Sequence, residues 1–246
     1  MVQAIPIALG AGSGLGSFRM KTMILAAGRG ERMRPLTDNT PKPLLPVAGV
    51  PLLERHIRRL AAAGCTELVI NVSHLGEQVM DYCDDGSRWA VDIRYSPERE
   101  ALETAGGIVA ALPLLGDEPF LVVNGDIWTD FPFERLLQSD LAPSERARLV
   151  MVDNPPQHPR GDFQLDESGW LHPVSAGGRG WTYAGLGIYT RGFFAGAKPG
   201  RLPLRPLLDS AMEKNALGGE VFRGAWHDVG TPERLRALDE SFSGAG

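Results

Sequence analysis

From Met20 onward, apolar runs of strand length alternate with longer amphipathic stretches, and this alternation narrows the chain to few architectures. Residues 21–27, KTMILAA, read as a buried strand. Residues 51–64 read as a helix that gathers Leu52, Leu53, Ile57 and Leu60 on one face and stops at Gly64. Residues 67–73, ELVINVS, read as the next strand. The rhythm then repeats. Residues 75–85 are helical in pattern, 92–98 form a strand, 104–115 a helix entered through Gly106 and Gly107, and 119–126 a strand closing on Asn124, Gly125 and Asp126. Strands separated by helices run parallel, because a tight hairpin cannot return the chain to the same end of a sheet. The expected fold class is therefore α/β, a doubly wound, mainly parallel, Rossmann-like sheet.

After residue 150 the rhythm breaks. Pro155, Pro156, Pro159 and the glycine-rich SAGGRG at 175–180 interrupt short strand-like pieces at 148–153, 162–166 and 181–190, which predict a small antiparallel subregion. A helix over 202–215, a strand within 219–230 and a last helix from Thr231, with Pro232 in its first turn, complete the pattern. Residues 1–19 stand apart. Their glycines, Gly10, Gly12, Gly14 and Gly16, alternate, so no GxGxxG can be placed, and no charged segment marks a signal peptide. They read as a leader or an added extension, with one domain expected over residues 20–246.

Charge excludes some partners. With 25 Lys+Arg against 30 Asp+Glu the net charge is -5, so there is no bulk attraction to nucleic acid or to an anionic membrane. No apolar run approaches the roughly 18 residues of a membrane span. Cys65 and Cys83 lack CxxC spacing and read as packing thiols of a reducing, cytoplasmic compartment. Small-molecule substrates and a monomer or weak homodimer are expected.

The loop after the first strand carries the chemistry. In LAAGRGERMR, residues 25–34, Gly28 and Gly30 let backbone approach a ligand at the carboxyl end of a parallel strand. Arg29, Arg32 and Arg34 offer guanidinium forks suited to phosphate oxygens, and Lys42, between Pro41 and Pro43, adds a point charge on a stiffened segment. A glycine turn with solvated arginines is the plainer alternative. Asp126 and Asp228 each follow an apolar run and so reach strand ends, where two carboxylates suit Mg²⁺ that completes its shell with substrate phosphates. Each taken singly is equally readable as a helix cap or turn residue. His74, after the strand at 67–73, reads either as a crevice residue or as a surface cap.

Together, LAAGRGERMRPLTDNTPKPLLPVAG, ETAGGI, VVNGD and WHDVGTPE resemble the sugar-1-phosphate nucleotidylyltransferases from Met20 to about Leu238. The resemblance implies attack of a sugar-1-phosphate on the α-phosphorus of a nucleoside triphosphate, with pyrophosphate leaving. It assigns Arg32, Lys42 and Asp126 to catalysis and Asp126 and Asp228 to Mg²⁺. Leu25, Ala26, Ala27, Gly28, Gly30, Arg32, Lys42, His74, Gly106 and Gly107 fall to the nucleotide. Glu103, Asn124, Asp153, Gly161, Asp162 and Gly185 fall to the sugar, so the antiparallel subregion is expected to bind it. The short chain and ETAGGI resemble most the members that use UTP and N-acetylmuramate α-1-phosphate in cell-wall recycling, with GTP and mannose-1-phosphate as the competing pair. In TYAGLGIY, Tyr183 replaces the asparagine many relatives carry and their usual lysine is missing, for which Arg179 is a candidate substitute. A silent nucleotide-sugar sensor is the alternative outside catalysis. A nicotinamide-dependent dehydrogenase is disfavoured by the missing fingerprint.

Overall fold

A computed structural model of the protein describes residues 20–243, so the expectations for residues 1–19 lie outside the described residues. Seven strands build the main sheet: β1 (Thr22–Leu25), β2 (Glu67–Val72), β3 (Asp92–Pro97), β4 (Phe120–Asn124), β5 (Ala147–Val152), β6 (Thr182–Tyr189) and β7 (Leu217–Val221). Their order is β7-β5-β6-β4-β1-β2-β3. β6 runs antiparallel to both of its neighbours, and every other pairing in the sheet is parallel.

Helices α1 (Leu52–Ala62), α2 (Gly76–Cys83), α3 (Glu103–Leu115), α4 (Arg205–Glu213) and α5 (Pro232–Ser243) accompany the sheet. Side chains alternate across a strand, and here both faces are covered. Ile24 aligns with Ile70 and Val123, and this layer packs with Leu53, Ile57 and Leu60 of α1 and Val79 of α2. Met23 aligns with Val69 and Val122 on the opposite face, where Ala105, Ile108 and Ala111 of α3 and Leu208 and Met212 of α4 close the layer. Two covered faces are the physical reason these strands read as continuous apolar runs. Both cysteines are buried and free, and burial pushes the Cys83 thiol up to about 12.

The second half differs from its expected layout. Two of the pieces predicted to form an antiparallel subregion, β5 and β6, belong to the main sheet, and only the hairpin Phe163–Leu165 with Leu171–Pro173 stands beside it. Residues 184–189 are all buried, and β6 lies between β4 and β5 with both edges paired and both faces in core layers. The expected strand within 219–230 divides at Gly224: the run before it is β7, and Trp226–Asp228 pairs with Ile127–Thr129. A third small core, Met33, Leu45, Val47, Leu52, Val229, Leu235 and Leu238, ties the long loop after β1 to α5. Among the described residues no helix is long and apolar enough to cross a membrane.

Candidate active site

A cavity of about 380 Å³ opens where β1, β2 and β4 end, the position at which open parallel sheets receive ligands. Of the residues expected there, Leu25, Ala26, Ala27, Gly28, Gly30, Arg32, Lys42, Glu103, Asn124 and Asp126 line it. His74 is exposed and lies outside the lining, as do Gly106, Gly107, Asp153, Gly161, Asp162, Arg179, Gly185 and Asp228, the last of which stands behind Gly230.

The glycines of the first loop divide by function. A Cβ on Gly28 would meet nothing within 4 Å, so the protein leaves open space there on the cavity wall. Gly30 is held by the fold: its φ of +67° is left-handed, and a Cβ would fall 3.0 Å from Thr37 Cγ2 and 3.2 Å from Lys42 Cβ. Glycine there lets the Lys42 stem lie close behind the loop. The arginines divide likewise: Arg29 pairs with Glu31, Arg34 pairs with Glu31 and Asp38, and Arg32 has no ion pair among the described residues.

Lys42 opens a single turn, Lys42–Leu44, and its stem is buried, yet Nζ donates to Asp126 Oδ2 at 2.6 Å. Asp126 follows β4 through Gly125, whose N–H donates to Leu25 O at 2.9 Å and whose Cβ position would fall 2.6 Å from that same oxygen. Only glycine allows β1 and β4 to close so tightly there. Asp228 reaches the neighbourhood from far along the chain, aligned with Ile127, while Val229 N–H donates to Asp126 O at 2.8 Å. Its carboxylate pairs with Arg234 of α5.

The strand after Asp126 is braced from behind by α1. His56 Nε2 donates to Ile127 O at 2.8 Å, and Arg59 donates to Thr129 O and to Phe131 O. Burial drives the His56 imidazole down to about 4, which keeps it neutral at ordinary pH.

Two buried polar residues of the lining, Asn71 and Glu98, were missed in the sequence. Asn71 Oδ1 accepts from Ala26 N at 2.8 Å, Asn71 Nδ2 donates to Glu98 Oε1 at 2.7 Å, and Glu98 Oε2 accepts from Leu102 N at 3.2 Å. This buried chain of bonds ties the end of β1 to the start of α3. Its one local signal is Asn71 itself, a lone amide in the apolar run LVINV. Gly107 packs on this bridge, its Cβ position 2.6 Å from Glu98 Oε1 and 2.9 Å from Asn71 Nδ2. Gly106 instead meets a different segment: its N–H donates to Leu202 O at 3.0 Å, and a Cβ would fall 2.3 Å from Gly200 O. Glu103 has φ +60°, a left-handed conformation unusual for a residue with a side chain, and pairs with Arg201 at 2.6 Å.

The expected sugar residues of the second half are engaged with neighbouring protein groups. Asp162 accepts from Tyr183 N at 2.8 Å and faces His158 Nε2 at 3.0 Å, while Asn154 Oδ1 accepts from Thr182 Oγ1 at 2.8 Å. A Cβ on Gly161 would strike Asn154 Oδ1 at 2.6 Å, and exposed Asp153 lies 3.7 Å from Arg223. The Tyr183 hydroxyl lies 3.0 Å from that of fully buried Tyr189, and burial pushes Tyr183 up to about 12. Tyr183 therefore serves the core. Gly185, at a register shift in β6 with φ +76°, is the residue that approaches the cavity wall, its Cβ position 2.7 Å from Asn124 Nδ2.

Known proteins resemble the chain in sequence and in fold. Residues 21–168 match the nucleotidyl transferase family. Over 221 residues, 88% of this chain and 96% of the relative, the sequence is 52% identical to an N-acetylmuramate alpha-1-phosphate uridylyltransferase of Neisseria meningitidis serogroup B. It is 32% identical over 230 residues to a mannose-1-phosphate guanyltransferase of Gibberella zeae, of which it covers 62%, with 87% of this chain aligned. A Bacillus anthracis protein solved in complex with a sucrose shares the fold at a TM-score of 0.80 and 21% identity, with 90% of this chain and 94% of that one covered. The chain belongs to the nucleotidyl transferase family.

Proposed function

We propose that the protein transfers the uridylyl group of UTP to N-acetylmuramate α-1-phosphate and releases pyrophosphate. The observation that carries this reading is 52% identity across nearly the whole length of a uridylyltransferase, with the charged groups of the cavity intact. An oxygen of the sugar phosphate forms a bond to the α-phosphorus as the bond to the bridging oxygen of the β-phosphate breaks. The nucleophile is already an anion near neutral pH, so no strong base is needed. What remains is positioning and electrostatics. Arg32, the arginine without an ion pair, is available to grip the triphosphate, and Lys42 neutralises charge on the transferred phosphoryl group. The open wall at Gly28 admits the nucleotide, and Glu103 and Asn124 offer polar atoms to sugar hydroxyls.

Mg²⁺ suits the donors present. Asp126, in the turn before Ile127–Thr129, and Asp228, on the strand paired with that segment, bring hard oxygen ligands, and no cluster of three or more His, Cys, Asp or Glu exists among the described residues, so the remaining ligands would come from phosphates and water. When bound, Mg²⁺ supplies neutralisation of phosphate charge. The setting this implies is cytoplasmic, where triphosphates and reduced thiols coexist.

The test is pyrophosphate release over a matrix of common nucleoside triphosphates against N-acetylmuramate-, mannose-, glucose- and N-acetylglucosamine-1-phosphate. Turnover is expected to be greatest with UTP and the N-acetylmuramate ester. Preference for GTP with mannose-1-phosphate would move the assignment, and no turnover with any pair would leave a binding protein in place of an enzyme.

A further inference from the structure

We infer that Arg234 is a resident counter-ion that holds Asp228 until a divalent metal arrives, so that the nucleotide-free protein resists free metal. The inference rests on the reading of Asp126 and Asp228 as the metal carboxylates. Each of the two already carries one cation of the chain: Lys42 Nζ lies 2.6 Å from Asp126 Oδ2, and the Arg234 guanidinium pairs with Asp228 Oδ2. The two pairs adjoin, because Asp228 aligns with Ile127 and Val229 N–H bonds Asp126 O at 2.8 Å. Without ligands the carboxylate pair is therefore electrically balanced.

The Arg234 pair is half-buried behind the cavity wall. Arg234 and Asp228 keep only 26% and 30% of their side-chain surface, so their attraction is screened less than that of a surface pair. Gly230, which lines the cavity, makes room for them: a Cβ there would fall 2.9 Å from Arg234 Nη2 and 3.0 Å from Asp228 Oδ1. Arg234 is anchored in the first turn of α5, one turn beyond the carboxylate it holds. A metal must displace this guanidinium, or share its oxygen, to bind Asp228. Free cation offers nothing in exchange, whereas a metal–triphosphate complex brings phosphate oxygens, which complete the metal's shell and give the released guanidinium a new partner. Metal binding thereby becomes conditional on nucleotide binding.

The direction of effect separates this role from simple support. A residue that merely positioned Asp228 would, when removed, weaken metal binding. A competing counter-ion would strengthen it. Mn²⁺ binding to the full-length, nucleotide-free chain, read by electron paramagnetic resonance, is expected to tighten about tenfold in Arg234→Gln and equally in Arg234→Met, which retains the apolar stem. Arg234→Lys keeps the charge and the weak binding. The gain disappears in Asp228→Asn/Arg234→Gln. Unchanged or weaker Mn²⁺ binding in the two neutral variants overturns the inference. The metal reading beneath it has its own readout: with UTP present, Asp126→Asn and Asp228→Asn weaken Mn²⁺ binding in an Arg234 background. If neither does, the carboxylate assignment fails whatever Arg234 does.

Discussion

The two polar regions of this molecule handle charge in opposite ways. Among the described residues, Lys42 forms an ion pair with Asp126 and Arg234 with Asp228, beside a cavity, and Arg32 forms none. Around residues 153–185, Asn154, Asp162, Thr182 and Tyr183 are consumed by bonds that shape their own loops. Polar residue types in a promising stretch are thus not enough to mark a site. The groups left here for a phosphate or metal to engage are those whose partners are other charged side chains, whereas a carboxylate accepting a backbone N–H is part of the frame.

Mutations that separate activity from stability test this contrast. The largest effect is expected at the charged side. Asp126→Asn should lower kcat by about a hundredfold or more, and Lys42→Ala should cause a comparable loss with weaker triphosphate use, as removal of a principal electrostatic contact does. The melting temperature of Asp126→Asn should stay within a few degrees of the parent, because Asp126 is 40% exposed and such pairs contribute little to folding. Steady-state kinetics beside thermal melts would show it. A wholesale loss of fold in Asp126→Asn would erase the contrast.

The frame behind the charged side predicts a pH effect. His56 titrates near 4 in the folded protein, against about 6.5 when unfolded. Between those values the unfolded chain binds a proton that the folded protein refuses, so stability is full above about 6.5 and falls as pH drops toward 4. The accumulated loss is about 3 kcal/mol. Denaturant unfolding across that range should show the slope, and His56→Gln, which keeps a donor for Ile127 O, should flatten it.

On the sugar side the expected signature reverses. Asp162→Asn should cost about 1–2 kcal/mol of stability by disturbing the bonds to Tyr183 N and His158, with kcat changed only slightly. A hundredfold loss of kcat at unchanged stability would instead make Asp162 a substrate ligand. The smallest effect is expected at the cavity rim. Glu103→Gly relieves a left-handed backbone and should raise Tm by roughly 2 °C while lowering kcat/KM, since it removes a carboxylate from the cavity rim.

How much of this was legible beforehand follows physical lines. The covered strands, the amphipathic α1 with Leu52, Leu53, Ile57 and Leu60, and the crevice at the end of β1 were readable, because periodicity and strand ends are local properties. Lys42 and Asp126 were readable as charged residues on constrained segments. Asn71 and Glu98 were not, since a buried amide and carboxylate acquire meaning only when a third strand end and α3 meet them.

The contrast between local pattern and long-range pairing marks the boundary. Chain-local spacing was sufficient for a mainly parallel sheet, for two covered faces and for a glycine- and arginine-bearing loop at a strand end. Assembly alone reversed β6 between β4 and β5, set Gly106 against Gly200 and Leu202, and put Lys42 against Asp126 across 84 residues. Which charge meets which is a property of backbone brought together from distant positions, and no periodicity records it. That is also why Arg234, an unremarkable basic residue in the last helix, takes on a role only beside Asp228.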